Sequence, residues 1–110
     1  MHETTQMKYF IIKTEVVIGD IKNTITHLGK SKMRPKACQA EVAQSINHGR
    51  FDDDCYGQPC FDRDGFIAYP LSVTEISCIE FNQLIVHFEE YSLEQSETQL
   101  NETILEFLAA

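Results

Sequence analysis

The sequence predicts an α+β domain: a three-stranded antiparallel sheet, in the order strand, strand, helix, strand, helix, helix along the chain, with the helices packed on one face. Three observations point to it. Lys8 to Leu28 alternates apolar and polar residues about a Gly19-Asp20 turn. The stretch after Lys30 carries a proline, then apolar residues at helical spacing, then a glycine. Ser77-Cys78-Ile79-Glu80 has the serine-to-glutamate spacing of a helix capping box.

Residues 1–7 are polar and read as flexible. Lys8 to Ile18 reads as the first strand, with Phe10, Ile12, Val16 and Ile18 on one face. Gly19-Asp20 suits a two-residue hairpin turn, because glycine tolerates the positive φ such turns need. The return strand runs from about Ile21 to Leu28, in a register that sets Ile18 against Ile21, Thr14 against Ile25 and Ile12 against His27. In the first helix Pro35 occupies the opening turn, where its missing N–H is not needed, and Cys38, Val42 and Ile46 recur every four residues. Gly49 is placed to end that helix as a left-handed cap, and His48 lies in its last turn.

The Asp-, Gly- and Cys-rich stretch 50–65 reads as a long loop, with a turn at its Asp62-Arg63-Asp64-Gly65 end. Phe66 to Ile76 is the third strand; Pro70 removes a ladder donor and so places it at an edge or breaks it. Ser77 then opens a helix to about Glu90, with Ile76 and Phe81 as a hydrophobic staple and Cys78, Phe81, Ile85 and Phe88 as its apolar stripe. Ser92 and Gln95 offer a second capping box for a final helix, 93–110, which carries Leu93, Leu100, Ile104, Phe107 and Leu108 along one side. The whole chain, 1–110, reads as a single domain with no internal repeat.

Composition narrows the function classes. The chain has 110 residues and a formal net charge of -8, which argues against direct nucleic-acid binding, since that requires clustered Lys and Arg. No apolar run approaches the ~20 residues of a membrane span. The N-terminal stretch has no signal-type pattern, so the expected location is cytoplasmic, without membrane contact. The charge is also asymmetric: residues 1–63 hold all nine basic residues and eight acidic ones, whereas residues 64–110 hold nine acidic residues and no Lys or Arg. Such asymmetry points to a charged interaction surface, here Glu89, Glu90, Glu94, Glu97, Glu102 and Glu106. The basic cluster Lys30, Lys32, Arg34 and Lys36 is available to face the acidic half of the same chain or of another copy.

Chemistry-bearing constellations are sparse. Cys38, Cys55, Cys60 and Cys78 include no Cys-x-x-Cys pair, and all four are expected as reduced thiols. His48, Cys55 and Cys60, with Tyr56, Phe61 and Tyr69 beside them, outline a small-ligand or metal-binding region between the sheet and the stretch 50–65. The carboxylates Asp52, Asp53, Asp54, Asp62 and Asp64 lack the calcium-loop spacing, because Cys60 stands where a first ligand is needed and Leu71 where the glutamate is needed. No nucleophile elbow, phosphate-binding glycine loop or zincin motif occurs. His27, on the apolar hairpin face, reads as a core residue rather than a catalyst.

The segments MKYFIIKTEVVIG, AEVAQSI and SVTEISCIEF, spread over residues 7–90, resemble small proteins of mobile elements, such as integron gene-cassette products and phage or plasmid open reading frames. The resemblance implies a single-domain, often self-associating accessory protein, and it carries over no functional residue. The leading expectation is therefore a non-enzymatic homodimer without a cofactor, joined through Leu100, Ile104, Phe107 and Leu108 and presenting its acidic helical surface to a basic macromolecule. Mimicry of a nucleic acid is one form of that idea. A ligand- or metal-binding module is the alternative, and a Cys-dependent enzyme the third.

Overall fold

The computed structural model describes residues 6–92 and 97–110. Its elements are β1 (Lys8–Ile18), β2 (Ile21–Ser31), α1 (Pro35–Asn47), β3 (Arg50–Cys55), β4 (Gln58–Arg63), β5 (Phe66–Ile76), α2 (Cys78–Leu84), β6 (Glu89–Ser92), a 3-10 turn (Glu97–Gln99) and α3 (Glu102–Ala109). They build one six-stranded mixed sheet in the order β3-β4-β5-β1-β2-β6. The α+β class stands, but the expected three-stranded antiparallel sheet does not. Three further strands are present, and β6 lies parallel to β2.

Two tight turns account for most of the difference. Tyr56 and Gly57 have φ of 55° and 89°, and Asp64 and Gly65 have φ of 52° and 88°. Positive φ at both central residues is the type I′ geometry, whose twist matches that of paired strands. The stretch 50–65 is therefore not a loop: it folds as the β3–β4 hairpin and turns directly into β5. The first hairpin has the expected register, with Ile18 opposite Ile21, Thr14 opposite Ile25 and Ile12 opposite His27.

β5 is an interior strand of the sheet, but at Pro70 its ladder is broken as expected: its pairs with β4 end at Ala68 and its register with β1 shifts there. It lies between β1 and β4, and its ladder with β1 shifts where Lys13 pairs with Ser72 and Thr14 with Pro70. Leu71 is the extra residue of this bulge, and Pro70, which has no N–H to give the ladder, sits beside it. The helix expected from Ser77 to Glu90 stops at Leu84. Its capping box is formed, with Glu80 N–H donating to Ser77 Oγ and Ser77 N–H donating to Glu80 Oε1. Of the expected stripe only Phe81 is buried; Cys78 and Phe88 are exposed, and Glu89–Ser92 pairs as a strand. The final helix is likewise shorter, capped by Asn101, whose Oδ1 accepts from Ile104 N–H. Leu93, Glu94 and Gln95 lie outside the described residues, as do the first five residues of the segment expected to be flexible.

The helices do not share one face. Alternation along β1 sends Phe10 and Ile12 into a core with Met33, Ala37, Ala40, Val42, Phe61, Ala68, Leu100, Ile104 and Phe107, which places α1 and α3 on that side. Tyr9 points to the opposite side and meets Phe81 of α2, ring centroids 5.1 Å apart. That second face also carries a smaller cluster of Cys55, Cys60 and Tyr69, with Val17 and Ile67 packed on it. Among the described residues no helix is long and apolar enough to cross a membrane.

Candidate functional site

The hairpin β3–β4 is fixed to the rest of the fold by a buried asparagine. Asn47, the last residue of α1, donates from Nδ2 to the carbonyls of Phe61 and Phe66, both at 2.8 Å, and its Oδ1 accepts from Gly49 N–H at 2.8 Å. The left-handed residue ending α1 is His48, with φ of 51°, rather than Gly49. Gly49 is required by proximity instead: a Cβ there would stand 2.8 Å from the Asp62 backbone nitrogen, too close for any side chain. α1 and the hairpin are thus locked in register, and the hairpin's two faces take separate roles.

One face carries the thiols. The β3–β4 ladder is irregular between Asp52 and Cys55. Asp52 Oδ1 accepts from Asp54 N–H and Asp54 Oδ1 from Gly57 N–H, both at 3.0 Å, so two aspartate turns shape this end. Asp52 lies opposite Cys60 across the ladder, and the irregularity brings Cys55 to the same side. A carboxylate oxygen of Asp52 and the Sγ atoms of Cys55 and Cys60 all fall within 4.8 Å of one another. Cys60 is 0% and Cys55 7% exposed, while Asp52 is exposed at the rim. The Tyr69 hydroxyl lies 3.5 Å from Cys55 Sγ. Burial pushes the Cys60 thiol well above the usual range, with Cys55, Asp52 and Asp62 adding to the effect. The contact with Cys55, followed by burial, raises the Tyr69 phenol. Burial takes Cys38, in the main core, up to about 11. Neither Cys38 nor Cys60 is therefore poised as a thiolate nucleophile.

Of the residues expected to form a ligand region, Cys55, Cys60 and Tyr69 come together. Tyr56 is 91% exposed at the hairpin tip, where it and Tyr69 border a surface depression with Glu15, Lys22 and Gln58. Phe61 belongs to the main core on the opposite face. His48 is exposed at the end of α1 beside Arg50, Asp62, Arg63 and Asp64, and is not one of the three clustered donors. The residue missed is Asp52, whose usefulness depends on standing opposite Cys60 in a strand pairing that a loop does not have.

The other side of the hairpin meets α3. Phe51 faces Phe107 with rings 6.1 Å apart at 85°, and above them a groove of about 550 Å³ is bordered by Asp52, Asp53, Glu106, Ala109 and Ala110. Much of the expected acidic surface is already paired elsewhere. Glu90 lies 4.0 Å from Lys30 and Glu97 receives the Arg34 guanidinium, while Glu89 lies 3.8 Å from His27, a charge partner only when that imidazole is protonated. The basic cluster thus faces the acidic half of its own chain. Lys36 joins it, with Nζ donating to the Ala110 carbonyl and lying 4.7 Å from the centre of the Phe107 ring. Among the described residues no ion pair engages Asp52, Asp53, Asp54, Glu102 or Glu106.

The expected dimer contact is placed differently too. Leu100, Ile104 and Phe107 are buried in the chain's own core and Leu108 is half-buried against it, because the apolar side of α3 packs on α1 and β3. The large apolar residue left exposed on α3 is Leu105. No family model matches this chain, and neither does any curated protein or solved structure.

Proposed function

We propose that the protein is a non-enzymatic interaction module that receives a basic segment of a macromolecular partner in the acidic groove between β3 and α3. One observation supports this above the others: carboxylates from two elements, Asp53 of β3 and Glu106 of α3, border a single groove over Phe51 and have no ion-pair partner among the described residues. β3 is also an edge strand, so its outer backbone groups are available to pair with an extended segment. A Lys or Arg side chain laid over Phe51 keeps its charge among the carboxylates while its methylenes cover the ring. A basic nucleic-acid-binding protein is one partner of this chemistry, the carboxylates standing in for phosphates. The contact joins the chain to a different molecule, since the apolar residues first suited to a dimer contact are used in the core.

The test is binding of a lysine-rich polypeptide at two salt concentrations. Wild-type affinity should fall steeply with salt. The variant carrying Asp53→Asn and Glu106→Gln should bind about fivefold more weakly, at roughly 0.5 kcal/mol per exposed charge. Glu89→Gln with Glu90→Gln, at the opposite sheet edge, should leave binding unchanged. Equal affinity for wild type and this double variant would overturn the proposal.

A further inference from the structure

The geometry points to a binding site for a thiophilic divalent cation of the zinc type, held by Asp52, Cys55 and Cys60. Its thiols lie on the face of the hairpin opposite Phe51, and Asp52 alone is shared with the border of the acidic groove. Three features support it. First, the three donor atoms lie within 4.8 Å of one another, whereas sulfurs in a tetrahedral site with bonds of about 2.3 Å stand about 3.8 Å apart. The donors thus need to close by no more than about 1 Å. Second, they are a mixed soft and hard set on a rigid hairpin, two buried sulfurs below and a carboxylate at the rim, so a cation enters past Asp52. Third, a supporting group is already in place: the Tyr69 hydroxyl, 3.5 Å from Cys55 Sγ, can donate a hydrogen bond to a coordinated thiolate.

Coordination breaks two S–H bonds, forms two metal–sulfur bonds and sends both protons to solvent. Two thiolates and one carboxylate around a dication leave a net charge of -1. Three protein donors leave a fourth position for water, the pattern of an open rather than a closed site. Buried thiols among carboxylates are a poor place for thiolates alone, and a bound cation reverses that balance.

The experiment is a cobalt(II) titration of the reduced full-length protein, read by its absorption spectrum. Wild type should take up one equivalent, with thiolate-to-cobalt charge-transfer and tetrahedral d–d bands that zinc(II) displaces. Cys55→Ser and Cys60→Ser should each remove most of the charge-transfer intensity. Asp52→Asn should weaken binding at least tenfold, and Cys78→Ser, remote on α2, should change nothing. Cys60 is fully buried and its variant can lose the fold, so the exposed Asp52→Asn and a circular dichroism spectrum of each variant keep the test decisive. The site is refuted if wild type shows no charge-transfer band. A band that survives Cys55→Ser, or a wild-type affinity retained by Asp52→Asn, refutes it equally.

Discussion

Replacing Phe107 by alanine separates two placements of the C-terminal helix: packed on its own sheet, or docked on a second copy. Phe107 is 5% exposed, stands edge-on to Phe51 at 6.1 Å and lies under Lys36 Nζ at 4.7 Å. Phe51 in turn leans on Phe61 at 5.7 Å, so the ring closes a continuous aromatic contact from α3 to β4. Truncating a buried phenylalanine costs about 3–5 kcal/mol from lost transfer energy and the cavity left behind. The edge-on pair and the lysine contact place this site toward the upper part of that range. For a domain of this length each kcal/mol corresponds to roughly 4–8 °C, so the melting temperature should fall by about 15–40 °C. The assay is thermal and urea unfolding of wild type and Phe107→Ala across a hundredfold range of protein concentration. Intramolecular packing predicts the full loss at every concentration. A loss below about 1 kcal/mol, or a wild-type melting temperature that climbs with concentration, would refute the placement.

Two further outcomes follow from buried polar groups. Asn47→Ala removes three buried hydrogen bonds, two of them to the Phe61 and Phe66 carbonyls, so it should cost about 2–4 kcal/mol in urea unfolding and detach the β3–β4 hairpin from α1; a loss under about 1 kcal/mol would contradict that role. Burial lowers the His27 pKa below 6.5, against a smaller opposing effect of Glu89, so the folded state resists protonation. Stability should be unaffected by this group above pH 6.5 and decline as pH falls from 6.5 through the lowered folded value; His27→Gln should flatten that part of the profile, and an unchanged slope would exclude His27 as its source.

Local punctuation makes several elements legible in the sequence itself. The β1–β2 register follows from alternation and the Gly19 turn, the start of α1 from Pro35, the cap of α2 from Ser77 and Glu80, and the span of β5 from its apolar alternation. What is not legible depends on pairing across the chain. In the stretch 50–65 the irregularity between Asp52 and Cys55 breaks the two-residue period, and four exposed or half-exposed aspartates, Asp52, Asp53, Asp54 and Asp62, disguise strands as loop. The Asp64-Gly65 pair is a hairpin signal whose weight rises once Tyr56-Gly57 is read the same way. The strand Glu89–Ser92 takes its place from the free edge of β2 rather than from an apolar pattern of its own. Chemistry follows the same division. Cys55, Cys60 and Tyr69 stand out by residue type, but Asp52 becomes their companion only through its pairing with Cys60. The charge asymmetry is plain in the sequence. Which carboxylates are already matched by Lys30 and Arg34 depends on tertiary contacts.

The acidic groove is tested most directly by amide chemical-shift mapping of the isotopically labelled protein as a lysine-rich polypeptide is added. The proposed function predicts perturbations concentrated on Phe51–Asp54 of β3 and on Glu102–Ala110 of α3 and its end, and their loss at high salt. Perturbations centred instead on β6 and Lys30, or none anywhere, would contradict it.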